Sequence, residues 1–501
     1  MNKGFAPSKK NVSGPVFSDD SVQRELELIN GAAARYQWIS PTGEMFSIEL
    51  PHTVYPPRED TTFLAEHLLR LGPGRGRKCL EIGTGSGVLA LFCHRQGWKV
   101  SACDINPYSV ASARRLFSEN SALEIIVKEG GPGPKTDGDF QQWSGGQIYE
   151  LIFWNMPYII PDIDDGSHLG PLEDAALIDT SNATLFSAAL AQIRAGSILS
   201  STGLAMFTIG DKFDVLQLDK IAADHGFACR LTGQLKFDDG ECLRLVTVWH
   251  PFASAPTIHK KITESTNSEL LSNDWPTGTS ISADYQTAGR GRYSRPWVNS
   301  ARSVACSWKI GQPQSMTPAT LQIICGCLVK QSLESFSQSN TNSEIVLKWP
   351  NDIMIKTPNR AGKVCGILVE STTKGNKNQT VVGIGINLSS EGTDPPHEFA
   401  MAFADWYSSS ITSADLRQQI DCRIAGLFES KDGIPATNFK QIQQTAFDMV
   451  TEGFSKPSQL FYRNKEVKLN RINPDGTIEL ISHTGDHVMC DEGEHLEWLF
   501  L

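Results

Sequence analysis

Residues 347–370 read LKWPNDIMIKTPNRAGKVCGILVE and form the most informative part of this 501-residue chain. The block Lys348–Asp352 (KWPND) ends an apolar strand, and Lys363, Gly366 and Glu370 follow after a short basic turn. Polar and charged side chains at the end of a buried strand are typical of a binding or catalytic site on a rigid scaffold.

Two further blocks flank this stretch. Gln286–Trp297 (QTAGRGRYSRPW) precedes it, after a strand predicted over Ser280–Tyr285, and Val382–Leu388 (VGIGINL) follows it. Guanidinium groups on a glycine-rich backbone suit a loop that folds over phosphate and carboxylate, because each arginine offers a planar fork to oxyanions. Taken alone, GRGR is equally compatible with a solvated basic loop or a nucleic-acid contact.

The overall composition restricts the function further. A chain of this length predicts about two to four domains, and we expect three. Hydrophobic residues make up 40% and charged residues 20%, which is ordinary for a globular protein. The formal net charge of −11 argues against a constitutive nucleic-acid binder.

No apolar run is long enough to span a membrane, and the polar first 20 or so residues lack the apolar core of a secretory signal. The sequence leaves open whether that tail is an organelle address.

The 11 cysteines are scattered, mostly in apolar strand-like contexts. We expect buried free thiols in a reducing cytoplasm. Cys325 and Cys327 lie in an apolar helical run at a spacing that does not suit a zinc site.

Residues 35–250 alternate short apolar strands with amphipathic helices, which predicts a doubly wound α/β sheet. The predicted strands are Lys78–Ile82, Lys99–Cys103, Leu123–Val127, Leu151–Trp154, Leu204–Ile209 and a closing strand, Cys242–Trp249. A mixed α/β region follows, and a tail of short strands contains a hairpin signal at Asn473–Gly476. The expected segments are 1–34, 35–252, 257–448 and 455–501.

Glu81–Gly87 (EIGTGSG) follows a strand and opens a helix, so its glycines let the backbone approach a ligand closely. The spacing is not that of the dinucleotide-binding fingerprint. With Asp104 at the end of the next strand, this block resembles the first motifs of class I S-adenosylmethionine methyltransferases. In that family the first acid faces the methionine amine and the second holds the ribose hydroxyls.

Asn155–Tyr158 (NMPY) resembles the NPPY motif of amino-methyltransferases, with Met156 in place of the usual proline. Val54–Thr61 (VYPPREDT) resembles a segment of the release-factor glutamine methyltransferase group that helps to close the donor site. The resemblance implies a Rossmann-like domain, S-adenosylmethionine as donor, a protein acceptor, and catalytic roles for Asn155 and Tyr158. It implies these donor-binding residues: Asp60, Thr61, Glu81, Gly83, Gly85, Gly87, Asp104 and Asn155.

The three blocks of the second half, in order, resemble the biotin protein ligases. The resemblance implies an α+β catalytic domain followed by a small SH3-like β-barrel at the C-terminus. It implies biotin, ATP and Mg²⁺ as ligands, biotinyl-5′-AMP as the intermediate, and a lysine of a biotin carboxyl carrier protein as acceptor. The implied ligand-binding residues are Ser265, Thr266, Asn267, Gln286, Gly289, Arg290, Gly291, Arg292, Arg295, Trp297, Lys348, Asn351, Lys363, Gly366 and Asn387.

Within this resemblance Lys363, Asp352 and Arg292 are catalytic. Lys363 matches the lysine that neutralises charge where the biotin carboxylate meets the α-phosphate, and Asp352 matches an aspartate near the attacking amine. A structural role for a single one of them, such as a helix cap at Asp352, stays open. A methyltransferase stands where some relatives carry a repressor domain, so we expect no binding of operator DNA. A homodimer is possible.

Three alternatives remain. Lipoate ligases share the fold of the second half but typically lack the GRGR and KWPND blocks. The first half is compatible with a non-catalytic module that regulates or recruits the ligase, or with methylation of nucleic acid, and Met156 keeps the first of these open.

Overall fold

The computed structural model describes residues 33–132, 140–157, 184–211, 213–238, 240–297, 300, 302–311, 313, 316–337, 342–374, 377–391, 401–407 and 410–500. The chain forms two compact units. One comprises residues up to 214 together with 231–247, and the other comprises 215–230 and everything from 248 onward. The segment boundaries expected from the sequence stay a prediction.

The described chain begins with an antiparallel hairpin of strands β1 (Ala34–Ile39) and β2 (Met45–Leu50). Gly43, at φ +83°, makes the turn between them. On one face of the hairpin Trp38 stacks on Phe46, and both side chains are buried. The alternation of buried and exposed residues is that of a sheet with one solvated face.

A seven-stranded sheet follows, with the spatial order β5-β4-β3-β6-β7-β9-β8. Strands β3 to β7 are parallel to one another, and the paired neighbours are β5–β4, β4–β3, β3–β6 and β6–β7. The chain order reverses between β3 and β6, and open α/β sheets bind ligands outside the carboxyl ends of the strands at such a point. The strands are β3 (Lys78–Ile82), β4 (Lys99–Asp104), β5 (Ile126–Glu129), β6 (Tyr149–Asn155), β7 (Leu199–Gly210), β8 (Ala228–Lys236) and β9 (Cys242–Trp249).

Six described helices connect these elements. Helix α3 shows why they begin where they do: the Asn106 side chain accepts from the Tyr108 N–H, and Pro107 occupies the first helical position. The helices are α1 (Glu59–Arg70), α2 (Val88–Arg95), α3 (Pro107–Glu119), α4 (Phe140–Ser144), α5 (Thr184–Gly196) and α6 (Val215–Asp224).

The predicted doubly wound sheet is confirmed, but not every strand begins where predicted. The strand predicted over 204–209 already begins at Leu199. The strand predicted over 123–127 begins only at Ile126. Residues before it form a turn in which the Ile125 N–H donates to the Ala122 carbonyl, and Leu123 is 77% exposed. Leu123 therefore belongs to the apolar sequence pattern from which the strand was predicted, but it lies outside the sheet.

A second seven-stranded sheet has the order β10-β11-β12-β16-β15-β14-β13. Only β10 and β11 pair in parallel; the other neighbours are antiparallel. The strands are β10 (Thr257–Thr263), β11 (Ser280–Gln286), β12 (Arg302–Ile310), β13 (Glu344–Lys348), β14 (Asp352–Lys356), β15 (Ala361–Lys374) and β16 (Lys377–Ser389). The block Lys348–Asp352 thus makes the tight connection between two antiparallel strands.

Four helices within the described part of this half accompany the sheet: α7 (Thr266–Ser272), α8 (Pro318–Glu334), α9 (Ser413–Phe428) and α10 (Phe439–Phe454). Leu270 of α7 packs with Ile281 and Val381 in a fully buried cluster on the sheet. Cys325 and Cys327 lie in α8, as predicted. All eleven cysteines are free, and all but Cys229 are buried, which confirms the expected free thiols.

The C-terminal part forms a five-stranded antiparallel sheet of order β20-β19-β18-β17-β21. The strands are β17 (Gln459–Tyr462), β18 (Lys465–Ile472), β19 (Ile478–Ser482), β20 (His487–Cys490) and β21 (Leu496–Leu499). Residues 473–476 connect β18 to β19, so the predicted hairpin is confirmed. Within the described residues, no helix has the length and apolar character needed to cross a membrane.

Candidate functional site

The second unit contains a cavity of about 920 Å³ beside the KWPND connection. Its walls come from the start of α7, the glycine-rich loop, strands β15 and β16, and the C-terminal sheet. Of the residues predicted to bind ligands or catalyse in this half, all but Gly289 line it: Ser265, Thr266, Asn267, Gln286, Arg290, Gly291, Arg292, Arg295, Trp297, Lys348, Asn351, Asp352, Lys363, Gly366 and Asn387.

One wall of this cavity is a buried polar network at the N-terminus of α7. The Gln286 Oε1 accepts from the Thr266 N–H at 2.8 Å and from its hydroxyl at 3.1 Å. The Ser307 hydroxyl lies 2.6 Å from both the Thr266 Oγ1 and the Asn267 Oδ1. Ser265 caps the helix. These hydrogen bonds fix the orientation of the polar side chains, so their remaining donors and acceptors can form directional contacts with a ligand.

Glycines on β15 and β16 let side chains lie directly against the sheet. A Cβ on Gly383 would come within 2.2 Å of the Asn267 Oδ1, and one on Gly385 within 2.7 Å of the Trp297 ring. A Cβ on Gly366 would meet the same ring at 3.1 Å and the Lys363 Nζ at 3.3 Å. The GIGIN block therefore leaves room for side chains of the cavity, because only glycine fits beneath them.

The glycine-rich loop folds back on itself. The Trp297 N–H donates to the Gly289 carbonyl at 2.9 Å, and the Gly291 N–H donates to the Arg295 carbonyl at 2.7 Å. Gly289 thus lies at the base of the loop. Arg292 is half-buried at its tip, and its Nη2 lies 3.2 Å from the Tyr293 hydroxyl and 3.5 Å from the Asp491 carbonyl. The backbone of Tyr293 is left-handed, at φ +54°.

The two arginines of the GRGR block have different surroundings. The Arg290 guanidinium is paired with the Glu370 carboxylate, with 3.0 Å between Nη2 and Oε1, and its Nη1 donates to the Ser268 hydroxyl at 2.6 Å. Arg292 makes no comparable ion pair among the described residues. The structure therefore places the side chain of Arg290 against the protein and leaves that of Arg292 facing the cavity and solvent.

Lys363 and Asp352 come together on neighbouring strands, with the Lys363 Nζ 2.7 Å from the Asp352 Oδ1. The ammonium also lies 5.6 Å from the centre of the Trp297 ring. Asn351 is fixed by a bond from its Nδ2 to the Ile367 carbonyl at 3.0 Å. Burial lowers the pKa of Lys348, with a further decrease from Lys363 and an opposing effect of Asp352. Asp352 begins a strand and is not a helix cap.

The C-terminal sheet contributes residues that the sequence did not identify as part of the site. Glu494 forms an ion pair with Arg295 of the glycine-rich loop, at 2.5 Å. A Cβ on Gly493 would lie 2.8 Å from the Pro350 ring, so this turn packs directly on the KWPND connection. Trp498 and Phe500 also line the cavity. The ion pair between Arg295 and Glu494 joins the loop to a part of the chain about 200 residues later. No local sequence pattern relates such distant residues.

The first unit contains a smaller cavity, of about 140 Å³, at the carboxyl ends of β3, β4 and β6. Its walls include most of the predicted donor-binding residues: Asp60, Thr61, Glu81, Gly83, Gly85, Asp104 and Asn155. Gly87 lies behind them as the N-cap of α2, at φ +83°, and a Cβ there would be 2.9 Å from that of Ala113. Tyr158 lies outside the described residues.

Three acids of this cavity, Asp60, Glu81 and Asp104, are almost fully buried. Burial raises the pKa of Glu81 to about 8, while a bond from the Thr84 hydroxyl, at 2.7 Å, favours ionisation. Burial also raises the pKa of Asp104, against bonds from the backbone N–H groups of Asn106 and Gly85, both at 2.8 Å. Buried carboxyls of this kind suit a ligand that brings a positive charge or hydroxyl donors.

Asn155 ends β6 with its carboxamide fixed on both sides. Its Nδ2 donates to the Asp60 Oδ2 at 2.9 Å, and its Oδ1 accepts from the Thr208 hydroxyl at 2.7 Å. The Thr208 hydroxyl also accepts from the Met156 N–H at 3.0 Å. Since a carboxylate only accepts, these partners settle which end of the amide is nitrogen. The sequence motif did not indicate the role of Thr208.

Comparison with known proteins gives separate matches for the two halves. Residues 255–387 match the family model of the biotin/lipoate A/B protein ligases. The bifunctional ligase/repressor BirA of Bacillus spizizenii is 35% identical over 140 residues, which are 27% of this chain and 40% of that protein. A putative protein N5-glutamine methyltransferase of Methanocaldococcus jannaschii is 28% identical over 123 residues, which are 24% of this chain and 56% of that protein.

The chain thus covers well under two thirds of either relative. Among solved structures, the biotin protein ligase from Aquifex aeolicus in complex with biotin and ATP has 22% identity and a TM-score of 0.35, covering 48% of this chain and 97% of that chain. Residues 255–387 belong to the biotin/lipoate A/B protein ligase family, in a chain whose first half is related to glutamine methyltransferases.

Proposed function

We propose that the chain from residue 255 onward is a biotin protein ligase that attaches biotin to a lysine of a carboxyl carrier protein at the expense of ATP. The observation that carries the proposal is the Lys363–Asp352 pair, with 2.7 Å between Nζ and Oδ1, on the wall of a cavity that the glycine-rich loop also lines. This arrangement puts a cation, a carboxylate and a loop of arginines around one space.

The chemistry needs that cation. In the first step the biotin carboxylate attacks the α-phosphate of ATP and pyrophosphate leaves, so two anions must approach each other. Lys363 lies where it can neutralise both, and Arg292 adds a second charge from the loop tip. Mg²⁺ would neutralise the pyrophosphate. Among the described residues, no group of three or more His, Cys, Asp or Glu side chains is arranged to hold a metal ion.

In the second step the acceptor lysine attacks the carboxyl carbon of the mixed anhydride and an amide bond forms. The bond between that carbon and the phosphate oxygen breaks, and AMP leaves with the electron pair. The attacking amine must be neutral, and the Asp352 carboxylate is placed to accept its proton. The polar network of Thr266, Asn267 and Gln286 supplies donors and acceptors for the ring end of biotin. We assign the five-stranded C-terminal sheet as the SH3-like barrel of the family, with Glu494 joining it to the loop.

The test is a transfer assay with the full chain, labelled biotin, Mg-ATP and a purified biotin carboxyl carrier protein. The label should reach the carrier lysine and should be lost when that lysine is replaced by arginine. A parallel reaction with lipoate separates the nearest alternative. Transfer of lipoate without transfer of biotin would contradict the proposal.

For the first half we propose an S-adenosylmethionine-dependent methyltransferase that acts on a protein side-chain amide. The observation that supports this is the fixed carboxamide of Asn155, held by Asp60 and Thr208 at the rim of a cavity that the buried acids Glu81 and Asp104 also line. Its oxygen keeps a free lone pair and can accept an N–H of a substrate amide, aiming the nitrogen at the methyl group. Glu81 and Asp104 would bind the amine and ribose hydroxyls of the donor.

Free thiols throughout the chain fit a cytoplasmic location.

The corresponding test incubates the full chain with methyl-labelled donor and a protein extract of its host. Label on one discrete protein, lost with Asn155→Ala, is expected. If donor binds but no protein is labelled, the first half is a binding module that regulates or recruits the ligase. Label on nucleic acid would instead overturn the choice of a protein acceptor.

A further inference from the structure

The Glu370 carboxylate lies behind the cavity wall and contacts both elements that close the biotin side of the site. Its Oε1 accepts from the Arg290 Nε at 3.2 Å and Nη2 at 3.0 Å. Its Oε2 accepts from the Arg290 Nη2 at 3.2 Å and from the Asn267 Nδ2 at 2.7 Å. Glu370 is not itself among the residues that line the cavity. One side chain on β15 therefore joins the glycine-rich loop to helix α7.

The arginine that it binds has little capacity left for a ligand. The Arg290 Nε and Nη2 face Glu370, and its Nη1 donates to the Ser268 hydroxyl at 2.6 Å. A guanidinium has five N–H donors in a rigid fork, and here the fork is directed into the protein. The side chains of Arg290 and Glu370 are 32% and 25% exposed, so water screens the pair only partly.

The residues are 80 positions apart, and the pair connects the loop to the central part of the sheet. Strand β15 pairs along most of its length with β16, which makes it a rigid base. Other side chains also attach the loop: Arg295 binds Glu494, Gln286 binds Thr266, and the Arg292 Nη2 lies 3.5 Å from the Asp491 carbonyl. Removing the carboxylate would loosen Arg290 and Asn267 together, because Arg290 would keep only its bond to the Ser268 hydroxyl and Asn267 its contacts with Ser307 and the Leu368 carbonyl.

We propose that Glu370 is a positioning residue of the ligase: by binding Arg290 and Asn267 it fixes the glycine-rich loop over activated biotin and slows escape of the adenylate. The proposal rests on the proposed ligase function. It assigns Arg290 to anchoring of the loop through its side chain, and leaves neutralisation of the reacting anions to Lys363 and Arg292.

The test compares wild type with Glu370→Gln, Arg290→Met and the double variant. Gln keeps the size of the side chain and removes its charge. Two quantities are measured: hydrogen exchange of residues 286–297 in the ligand-free protein, and the rate at which biotinyl-adenylate leaves the enzyme. Glu344→Gln, which removes the carboxylate of a surface pair with Lys456, is the matched control.

We expect faster exchange in the loop, adenylate release increased on the order of 10-fold, and a higher KM for biotin with a smaller change in kcat. The double variant should be no worse than Arg290→Met, because the two side chains act through one contact. Arg290→Lys should recover only part of the effect, since an ammonium cannot form the two-point pair. The Glu344→Gln control should behave as wild type.

Three outcomes would overturn the proposal. Unchanged release and exchange in Glu370→Gln, with wild type active, would refute the role of Glu370 alone. Slower release in that variant would show that the carboxylate competes with the ligand for Arg290. Failure of wild type to form any adenylate would overturn the ligase function, and this inference with it, even if loop exchange responds as expected.

Discussion

Lys363 and Asp352 form an ion pair across the antiparallel strands β15 and β14, with 2.7 Å between Nζ and Oδ1. Each side chain is about a quarter exposed, so both can reach a ligand in the cavity without moving the strands. In the proposed reaction the pair would supply a cation for the step that joins two anions and a carboxylate for the step that consumes an amine. These two steps are separable by experiment.

The first prediction concerns the carboxylate. Asp352→Asn keeps the shape of the side chain but removes its charge. Transfer of biotin to the carrier should fall about 100-fold, while formation of the adenylate falls much less, because only the second step needs a proton acceptor. Single-turnover measurements of each step would show the difference. An equal loss in both steps would indicate that Asp352 serves only to orient Lys363.

The second prediction concerns the glycine beneath the aromatic ring. Gly385→Ala would place a Cβ 2.7 Å from Trp297, so the ring must move away from Lys363. We expect the KM for biotin to rise and the free energy of unfolding to fall by about 1–3 kcal/mol. Gly311→Ala is the control, since nothing lies within 4 Å of its Cβ. If both variants behave alike, the close approach of Trp297 has no role in binding.

The third prediction is a pH dependence in the first half. Burial raises the pKa of Glu81 to about 8, so the carboxyl of the ligand-free protein is largely protonated at neutral pH. A donor with a cationic amine favours the ionised form, so binding releases a proton and affinity should rise with pH up to about 8. Calorimetry from pH 6 to 8 measures this slope. Glu81→Gln should flatten it, and an unchanged slope in that variant would show that another group titrates.

The same pKa has a consequence for stability. Because the folded protein binds this proton more tightly than the unfolded chain, the favourable contribution of Glu81 is present at low pH. It is lost as the pH rises from about 4.5 through about 8. Denaturation at several pH values should therefore show Glu81→Gln gaining stability relative to wild type over that window.

The fourth prediction concerns Asn155. Asn155→Ala should reduce methyl transfer by 100-fold or more, because the acceptor amide loses its orientation, while donor affinity changes little. Thr208→Val, which removes the hydroxyl that fixes the Asn155 Oδ1, should give a smaller loss of the same kind. Donor affinity measured beside turnover distinguishes positioning from binding. Biotin ligase activity serves as the internal control and should be unaffected by both variants.

Local patterns predicted much of this structure. The strands Lys78–Ile82 and Cys242–Trp249 have the predicted bounds, because buried apolar runs between turns leave little freedom. The strand predicted from residue 123 begins at Ile126, since an apolar residue in a turn looks the same as one in a strand. Most residues that the motifs predicted as ligand-binding line the two cavities, Gly87 and Gly289 excepted, while their roles stay a prediction.

The contacts between distant residues were not predictable in this way. Asp60 and Asn155 are 95 positions apart, and Arg290 and Glu370 are 80 apart, so no local periodicity relates them. The sequence predicted ligand contacts for both arginines of GRGR, and a catalytic role only for Arg292, whereas the fold gives Arg290 an internal carboxylate. Such a difference depends on which strand lies under the loop, and that is a property of the sheet order.

The most direct test of the ligase assignment is quantification of biotinyl-adenylate in acid-quenched reactions of the full chain with biotin and Mg-ATP. Wild type should form the adenylate in stoichiometric amounts. Lys363→Ala should slow its formation by about 100-fold or more at saturating substrates, while Lys456→Gln, a lysine of a surface pair, should not. Adenylate formation by Lys363→Ala at the wild-type rate would contradict the account.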